Sequence, residues 1–143
     1  MRVEVSQTIQ RSVDEVFTFY ARDFVTNHSR WDPDMHLEQL TDGPIGVGTV
    51  IRRVNTHFGA PVEGVMEIVE YEPGKAMATT IADGPVEMRG RATFTSAGPN
   101  DSVLTLTVEA TGIDESARDQ MTGLIQRSLG NIKDLIESEP PAA

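Results

Sequence analysis

The chain has 143 residues, a formal net charge of −10 and no cysteine. This length fits one domain that buries its own hydrophobic core. A surface this acidic repels phosphate, so we expect no nucleic-acid partner. The absence of cysteine excludes disulfides, thiolate nucleophiles and cysteine-based zinc sites.

The first residues alternate between apolar and polar side chains, as a strand does, and lack the apolar segment of a signal peptide. No apolar run approaches the ~18 residues needed to cross a bilayer. We therefore expect a cytoplasmic protein without stable membrane insertion.

The N-terminal pattern predicts one strand followed by two helices. The strand covers residues 2–10, and Ser12 and Glu15 then have the spacing of a capping box. Apolar residues at helical spacing predict a first helix to about Arg22. A kink near Asp23 separates it from a second helix over residues 24–30, which a proline shortly afterwards ends.

Six further strands are predicted, because turn signals recur every 10–14 residues. They are residues 35–41, 49–57, 62–71, 76–82, 86–96 and 102–110. The last element is an amphipathic helix over residues 114–137 with Asp114 as its N-cap. The order β-α-α-β6-α predicts a single α+β domain over residues 1–138, followed by a disordered tail at residues 139–143.

Five short segments lie at characteristic places in this order. They are IQRSVDEVF at residues 9–17, WDP at 31–33, GVGT at 46–49, VEYEP at 69–73 and IKDLIE at 132–137. Together they resemble the START-like helix-grip superfamily, which includes the polyketide cyclase/dehydrase and lipid-transport proteins. The resemblance covers residues 2–137.

The resemblance implies a seven-stranded antiparallel sheet curved around the long C-terminal helix, with two short helices closing one end. An elongated apolar cavity then lies between the sheet and the helix. Members of the superfamily bind lipids, sterols, polyketides, plant hormones or quinones, and some catalyse cyclisation or dehydration.

We select candidate ligand contacts that would surround such a cavity, because apolar and aromatic residues with a few polar groups commonly line ligand sites. They are Tyr20, Trp31, His57, Met66, Met88, Phe94, Met121, Leu124 and Ser128. Two of them have a structural alternative. Trp31 can pack under a loop, and Ser128 can bond a carbonyl of its own helix.

His57 follows Arg53 and Asn55 at alternate positions of a predicted strand. Such a polar row is either a solvated outer face, which is the commoner arrangement, or the polar lining of a cavity. His57 is also our candidate for a catalytic acid or base, although no complete catalytic constellation is present.

Two other sets of polar residues are expected at the surface. Arg89 and Arg91 share one strand face and are expected to face water, paired with strand carboxylates such as Glu63 or Glu67. His28 and His36 flank the WDP segment and are expected on a surface connection. The histidine spacing does not match a metal motif, so we expect neither a metal nor another cofactor.

Three functions remain open. The first is binding of a small hydrophobic or amphipathic molecule, such as a lipid, a polyketide or an aromatic metabolite, by a monomer or homodimer. The second is a cyclase or dehydratase that uses the same cavity. The third is a protein-interaction module without a ligand.

Overall fold

The computed structural model describes residues 1–140 and confirms the predicted order of elements. The elements are β1 (Arg2–Ile9), α1 (Val13–Phe17), a π-helical turn (Thr18–Arg22), α2 (Phe24–Trp31), β2 (Met35–Gln39), β3 (Val50–Asn55), β4 (Val62–Glu72), β5 (Ala76–Asp83), β6 (Val86–Gly98), β7 (Asp101–Thr111), a 3-10 turn (Glu115–Ala117) and α3 (Arg118–Ser138).

The end of the predicted disordered tail, residues 141–143, lies outside the described residues. Just before it, the carboxylate of Glu139 forms an ion pair with Arg30 at 3.1 Å.

All seven strands form one antiparallel sheet in the order β1-β7-β6-β5-β4-β3-β2. The two edges are therefore β1 and β2. Irregular register in β4 between Ile68 and Glu70, and in β6 between Ser96 and Gly98, marks bulges. Bulges bend a strand and increase its local twist.

The predicted capping and kink at the N-terminal helices are both present. The Ser12 hydroxyl accepts a hydrogen bond from the Glu15 amide, which satisfies a free donor of the first turn. At the end of the π-helical turn, the Asp23 amide donates to the carbonyl of Thr18, five residues earlier. Asn27 then donates its side-chain amide to the Phe19 carbonyl at 3.0 Å, which holds the turn against α2.

The last helix starts later than predicted. Asp114 is an N-cap, but it accepts from the Ser116 amide at the head of the 3-10 turn, and α3 begins only at Arg118. The C-terminal half of α3 buries Leu129, Ile132 and Ile136 in the core. Most of the apolar core thus lies beneath this half of the helix.

Replacing Gly123 by alanine should raise the free energy of unfolding by about 0.5–1 kcal/mol, because glycine loses more backbone entropy in a helix. The added methyl group has room, since no heavy atom lies within 4 Å of its position. Urea unfolding followed by circular dichroism measures the change.

The matched control is Gly112→Ala, after β7. Gly112 has a φ of +79°, and a methyl group there would lie 2.6 Å from the Pro85 carbonyl oxygen. This variant should be less stable than the wild type. A loss of stability in Gly123→Ala as well would contradict the prediction.

Candidate ligand-binding cavity

A cavity of about 260 Å³ lies between the N-terminal half of α3, α2 and the inner side of the sheet. Most of its wall is apolar and comes from β5, β6, β7 and α3. Polar side chains gather in one part of the lining: His28, Asp32, Arg53, Asn55, His57 and Asp83. We call these six residues the polar cluster.

The structure brings together most of the candidate contacts selected from the sequence. Those that line the cavity are Tyr20, Trp31, His57, Met88, Met121, Leu124 and Ser128. Met66 instead lines a smaller adjoining space of about 110 Å³. Phe94 lines neither space: it is 5% exposed and packs edge-on against Phe17, with ring centroids 5.0 Å apart.

Tyr20 and Trp31 form one aromatic wall of the cavity. Their rings stack with centroids 5.3 Å apart and an angle of 10° between the planes. Asn131 of α3 donates a hydrogen bond to the Trp31 carbonyl at 2.9 Å, which fixes the end of α2 against α3. Burial raises the pKa of Tyr20, so its phenol remains protonated at neutral pH.

The side chains of α3 divide between the cavity and the core. Met121, Leu124 and Ser128 line the cavity, whereas the core residues lie further along the helix. Within residues 1–140, the Ser128 hydroxyl has no hydrogen bond, while Thr122 donates its hydroxyl to the Arg118 carbonyl. The structure therefore does not show the alternative, a hydrogen bond from the Ser128 hydroxyl to a carbonyl of α3.

The polar row of β3 faces the cavity and not solvent, which corrects the more common interpretation. Arg53 and Asn55 are both buried, and both converge on the carboxylate of Asp83 at the end of β5. Arg53 Nη2 lies 3.0 Å from Asp83 Oδ2, and the Asn55 amide donates to the same oxygen at 3.1 Å. Burial lowers the pKa of Arg53, and the Asp83 carboxylate opposes that change.

A glycine on β4 makes room for the buried carboxylate. Gly64 pairs directly with Asp83 across the two strands. A methyl group at Gly64 would lie 2.0 Å from Asp83 Oδ1 and 2.4 Å from the Ala82 carbonyl oxygen. A side chain at this position would therefore displace Asp83 from its place beside Arg53.

His57 and Asp32 form a second polar pair in the cavity lining. The imidazole Nε2 lies 2.9 and 2.8 Å from the two carboxylate oxygens of Asp32. Burial alone would raise the pKa of Asp32, but the hydrogen bond and charge of His57 hold it below its ordinary value. The residue next to His57 is Phe58, whose side chain is 55% exposed while it also lines the cavity.

His28 lines the cavity and is not part of a surface connection, which corrects the prediction. Its ring lies on α2 against Phe24 and Trp31, with centroid distances of 4.8 and 4.9 Å. Burial lowers the pKa of His28 to about 3, and the charges of Arg53 and His57 lower it further against the opposing effect of Asp32. Its Nδ1 atom is buried without a hydrogen-bond partner among the described residues.

Arg89 and Arg91 are exposed, as expected, and Arg91 pairs with a strand carboxylate, although the partner is neither Glu63 nor Glu67. Arg91 bonds Glu70 at 2.8 Å. Glu63 instead pairs with Arg52 of β3 at 2.7 Å. His36 is exposed on β2.

The described part of the chain contains no group of three or more histidine, aspartate or glutamate side chains that could hold a metal ion. None of its helices is both long enough and apolar enough to span a bilayer.

A seven-stranded antiparallel sheet, a long C-terminal helix and a cavity between them define a helix-grip fold. Residues 1–137 match the family described as polyketide cyclase / dehydrase and lipid transport, and the chain belongs to this family. Members of the family bind hydrophobic ligands or act as cyclases.

Solved structures support the fold. A START superfamily protein from Mycobacterium smegmatis is 11% identical, with a TM-score of 0.78 over 96% of this chain and 97% of that one. The Zhui aromatase/cyclase from Streptomyces sp. R1128 is 17% identical, with a TM-score of 0.74 over 96% and 93%. Norcoclaurine synthase from Thalictrum flavum, in complex with dopamine and hydroxybenzaldehyde, is 16% identical, with a TM-score of 0.76 over 99% and 89%.

At these identities the similarity shows the fold alone. No curated protein matches the chain.

Proposed function

We propose that the protein binds a small amphipathic molecule in the cavity between α3 and the sheet. The observation that carries this proposal is the asymmetry of the lining, which is mostly apolar but gathers six polar side chains in one part. Apolar walls supply affinity, and a few placed polar groups orient a ligand. The ligand's polar end would lie at the polar cluster, with its body against Met88, Met121 and Leu124.

The size of the cavity favours a compact ligand. Its volume of about 260 Å³ is slightly below the range of roughly 300–1,000 Å³ that is usual for ligand pockets. The stacked wall of Tyr20 and Trp31 offers a flat aromatic surface. A molecule with one or two rings therefore fits better than a long-chain lipid.

The variant Leu124→Trp tests the location of the site. Leu124 lines the cavity, so a larger side chain should fill it and weaken binding of 2-naphthol, a neutral two-ring probe, at least about tenfold. Isothermal titration calorimetry measures the affinity. The control is Gln126→Trp, which adds the same side chain at an exposed position of α3.

Thermal unfolding of both variants shows whether the fold is kept. If folded Leu124→Trp binds 2-naphthol as tightly as the wild type does, the cavity is not the binding site and the proposal fails.

A second candidate function is cyclisation or dehydration of a ligand held in the same cavity. The observation that favours it is the hydrogen bond between the His57 imidazole and the Asp32 carboxylate in the cavity lining. A carboxylate that orients an imidazole is a common arrangement for a general base. His57→Gln should then abolish conversion of a short poly-β-ketone but retain its binding, and unchanged turnover would exclude this role.

The third interpretation, an interaction module without a ligand, depended on a filled interior. The cavity gives it no support.

A further inference from the structure

The charges in the polar cluster are almost completely paired within the protein. Arg53 is only 9% exposed at its side chain and forms its ion pair with Asp83, which is 7% exposed. The second carboxylate, Asp32, is held by His57. His28 is uncharged at neutral pH, because burial lowers its pKa to about 3.

This pairing means that the polar cluster carries no net positive charge. The Arg53–Asp83 pair sums to zero. The Asp32–His57 pair sums to zero when the imidazole is protonated and to −1 when it is neutral. The cluster is therefore neutral or negative, and no cation in it is left without a carboxylate.

A ligand carboxylate that entered the cavity would lose its water and meet Asp32 and Asp83. Removing an ion from water is costly unless a counter-ion replaces the water. Like charges also repel more strongly where the dielectric constant is low. The net charge of −10 on the whole chain adds repulsion at longer range.

An uncharged oxygen avoids the charge repulsion and loses less hydration free energy than an ion, and hydrogen bonds in the cavity can offset that loss. Within residues 1–140, Arg53 bonds through Nη2 and Asn55 through Nδ2, which leaves Arg53 Nη1 and Asn55 Oδ1 without a hydrogen bond. The first is a donor and the second an acceptor. A hydroxyl group can accept from one and donate to the other, and a carbonyl oxygen can accept from the arginine.

We infer that the cavity selects uncharged ligands that present a hydroxyl or carbonyl oxygen to the polar cluster, and that it rejects carboxylates such as free fatty acids and aromatic acids. This inference rests on the proposed function, because it names the chemical class that the same cavity would take.

The test compares 2-naphthol with 2-naphthoate, two probes of similar shape that differ in charge at pH 7. Calorimetry on the wild-type chain should show that naphthol binds at least about tenfold more tightly than naphthoate. In Asp83→Asn, which leaves Arg53 without its counter-charge, the preference should reverse in favour of naphthoate.

The matched control is Asp34→Asn, which makes the same change of charge at an exposed position outside the cavity. It should keep the wild-type ratio of the two affinities. Asp32→Asn is the second cavity variant, and it should reduce the preference for naphthol even if Asp83→Asn does not fold.

The outcomes separate the inference from the proposed function. Naphthoate binding as tightly as naphthol to the wild type would overturn the inference but leave a binding cavity. If Asp83→Asn and Asp32→Asn fold but keep the wild-type ratio of the two affinities, the inference is also overturned and a binding cavity remains. If neither probe binds, both the proposed function and the inference fail.

Discussion

Replacing Asp83 by alanine is expected to lower the free energy of unfolding by about 3–5 kcal/mol, because it leaves a buried charge uncompensated. Arg53 would lose its counter-charge, and the Asn55 amide would lose the oxygen to which it donates. Neither side chain can turn to solvent without leaving the inner side of the sheet, since both are buried. Urea unfolding followed by Trp31 fluorescence measures the loss.

The neighbouring residue of β3 supplies a matched control. Arg52 pairs with Glu63 across β3 and β4, but their side chains are 42% and 63% exposed. Glu63→Ala should therefore lower the free energy of unfolding far less than Asp83→Ala does, because water screens an exposed ion pair. If the two alanine variants lose similar stability, water screens the Arg53–Asp83 pair and the prediction is wrong.

The double variant Arg53→Met/Asp83→Leu separates the pair from its surroundings. Apolar replacement of a buried ion pair is often neutral or stabilising by about 1–4 kcal/mol, since it removes both desolvation costs. The double variant should thus be more stable than Asp83→Ala. A double variant at least as stable as the wild type would indicate that the pair is kept for the cavity's polarity and not for stability.

The order of elements could be predicted because each one carries a local signal. Ser12 with Glu15 marks the first helix, and recurring glycines and prolines mark the turns between strands. The boundaries were less accurate at β3, which ends at Asn55, and at α3, which begins at Arg118. Before α3, a 3-10 turn continues the residue pattern without the hydrogen bonding of an α-helix.

The direction of the polar row on β3 stays open from the sequence pattern of that row alone, although one neighbouring residue indicates it. Ile51 shares its strand face with Arg53 and Asn55, and it is fully buried. Successive side chains of a strand alternate between faces, so a buried isoleucine places the two polar residues inside. The polar side chains alone favour a solvent-exposed face, but the alternation of side chains along the strand is the more reliable signal.

Asp83 and His28 were missed for different reasons. Asp83 precedes Gly84 and Pro85, a sequence typical of a turn, and the structure instead pairs it with Gly64 in the sheet and buries it. His28 lies four residues after Phe24 and three before Trp31, a spacing that places all three on one helix face. That spacing could have located His28 in the cavity wall.

Acid should destabilise the protein through His28. Its pKa is lowered to about 3 in the folded chain from an ordinary value of 6.5, because burial disfavours the charged imidazole. Between these two values the unfolded chain binds a proton at His28 and the folded chain does not. The free energy of unfolding therefore falls as the pH falls through this window.

Between pH 7 and pH 4, His28 should lower the free energy of unfolding by an amount on the order of 3 kcal/mol. The loss is about 1.4 kcal/mol for each pH unit below the pKa of the unfolded chain. Carboxylates also contribute to acid destabilisation, since the pKa of Asp32, among others, is lowered in the folded chain. The comparison is therefore made with His28→Phe, which keeps a ring against Phe24 and Trp31 but cannot take up a proton.

Urea unfolding at the two pH values should show a smaller acid loss in His28→Phe than in the wild type. His36→Phe is the control, because His36 is exposed on β2, outside the cavity lining, and it should lose as much stability in acid as the wild type does. An equal loss in His28→Phe and in the wild type would show that the folded chain accepts the proton. The imidazole would then be open to water, and the wall formed by Phe24, His28 and Trp31 would be less closed than the structure shows.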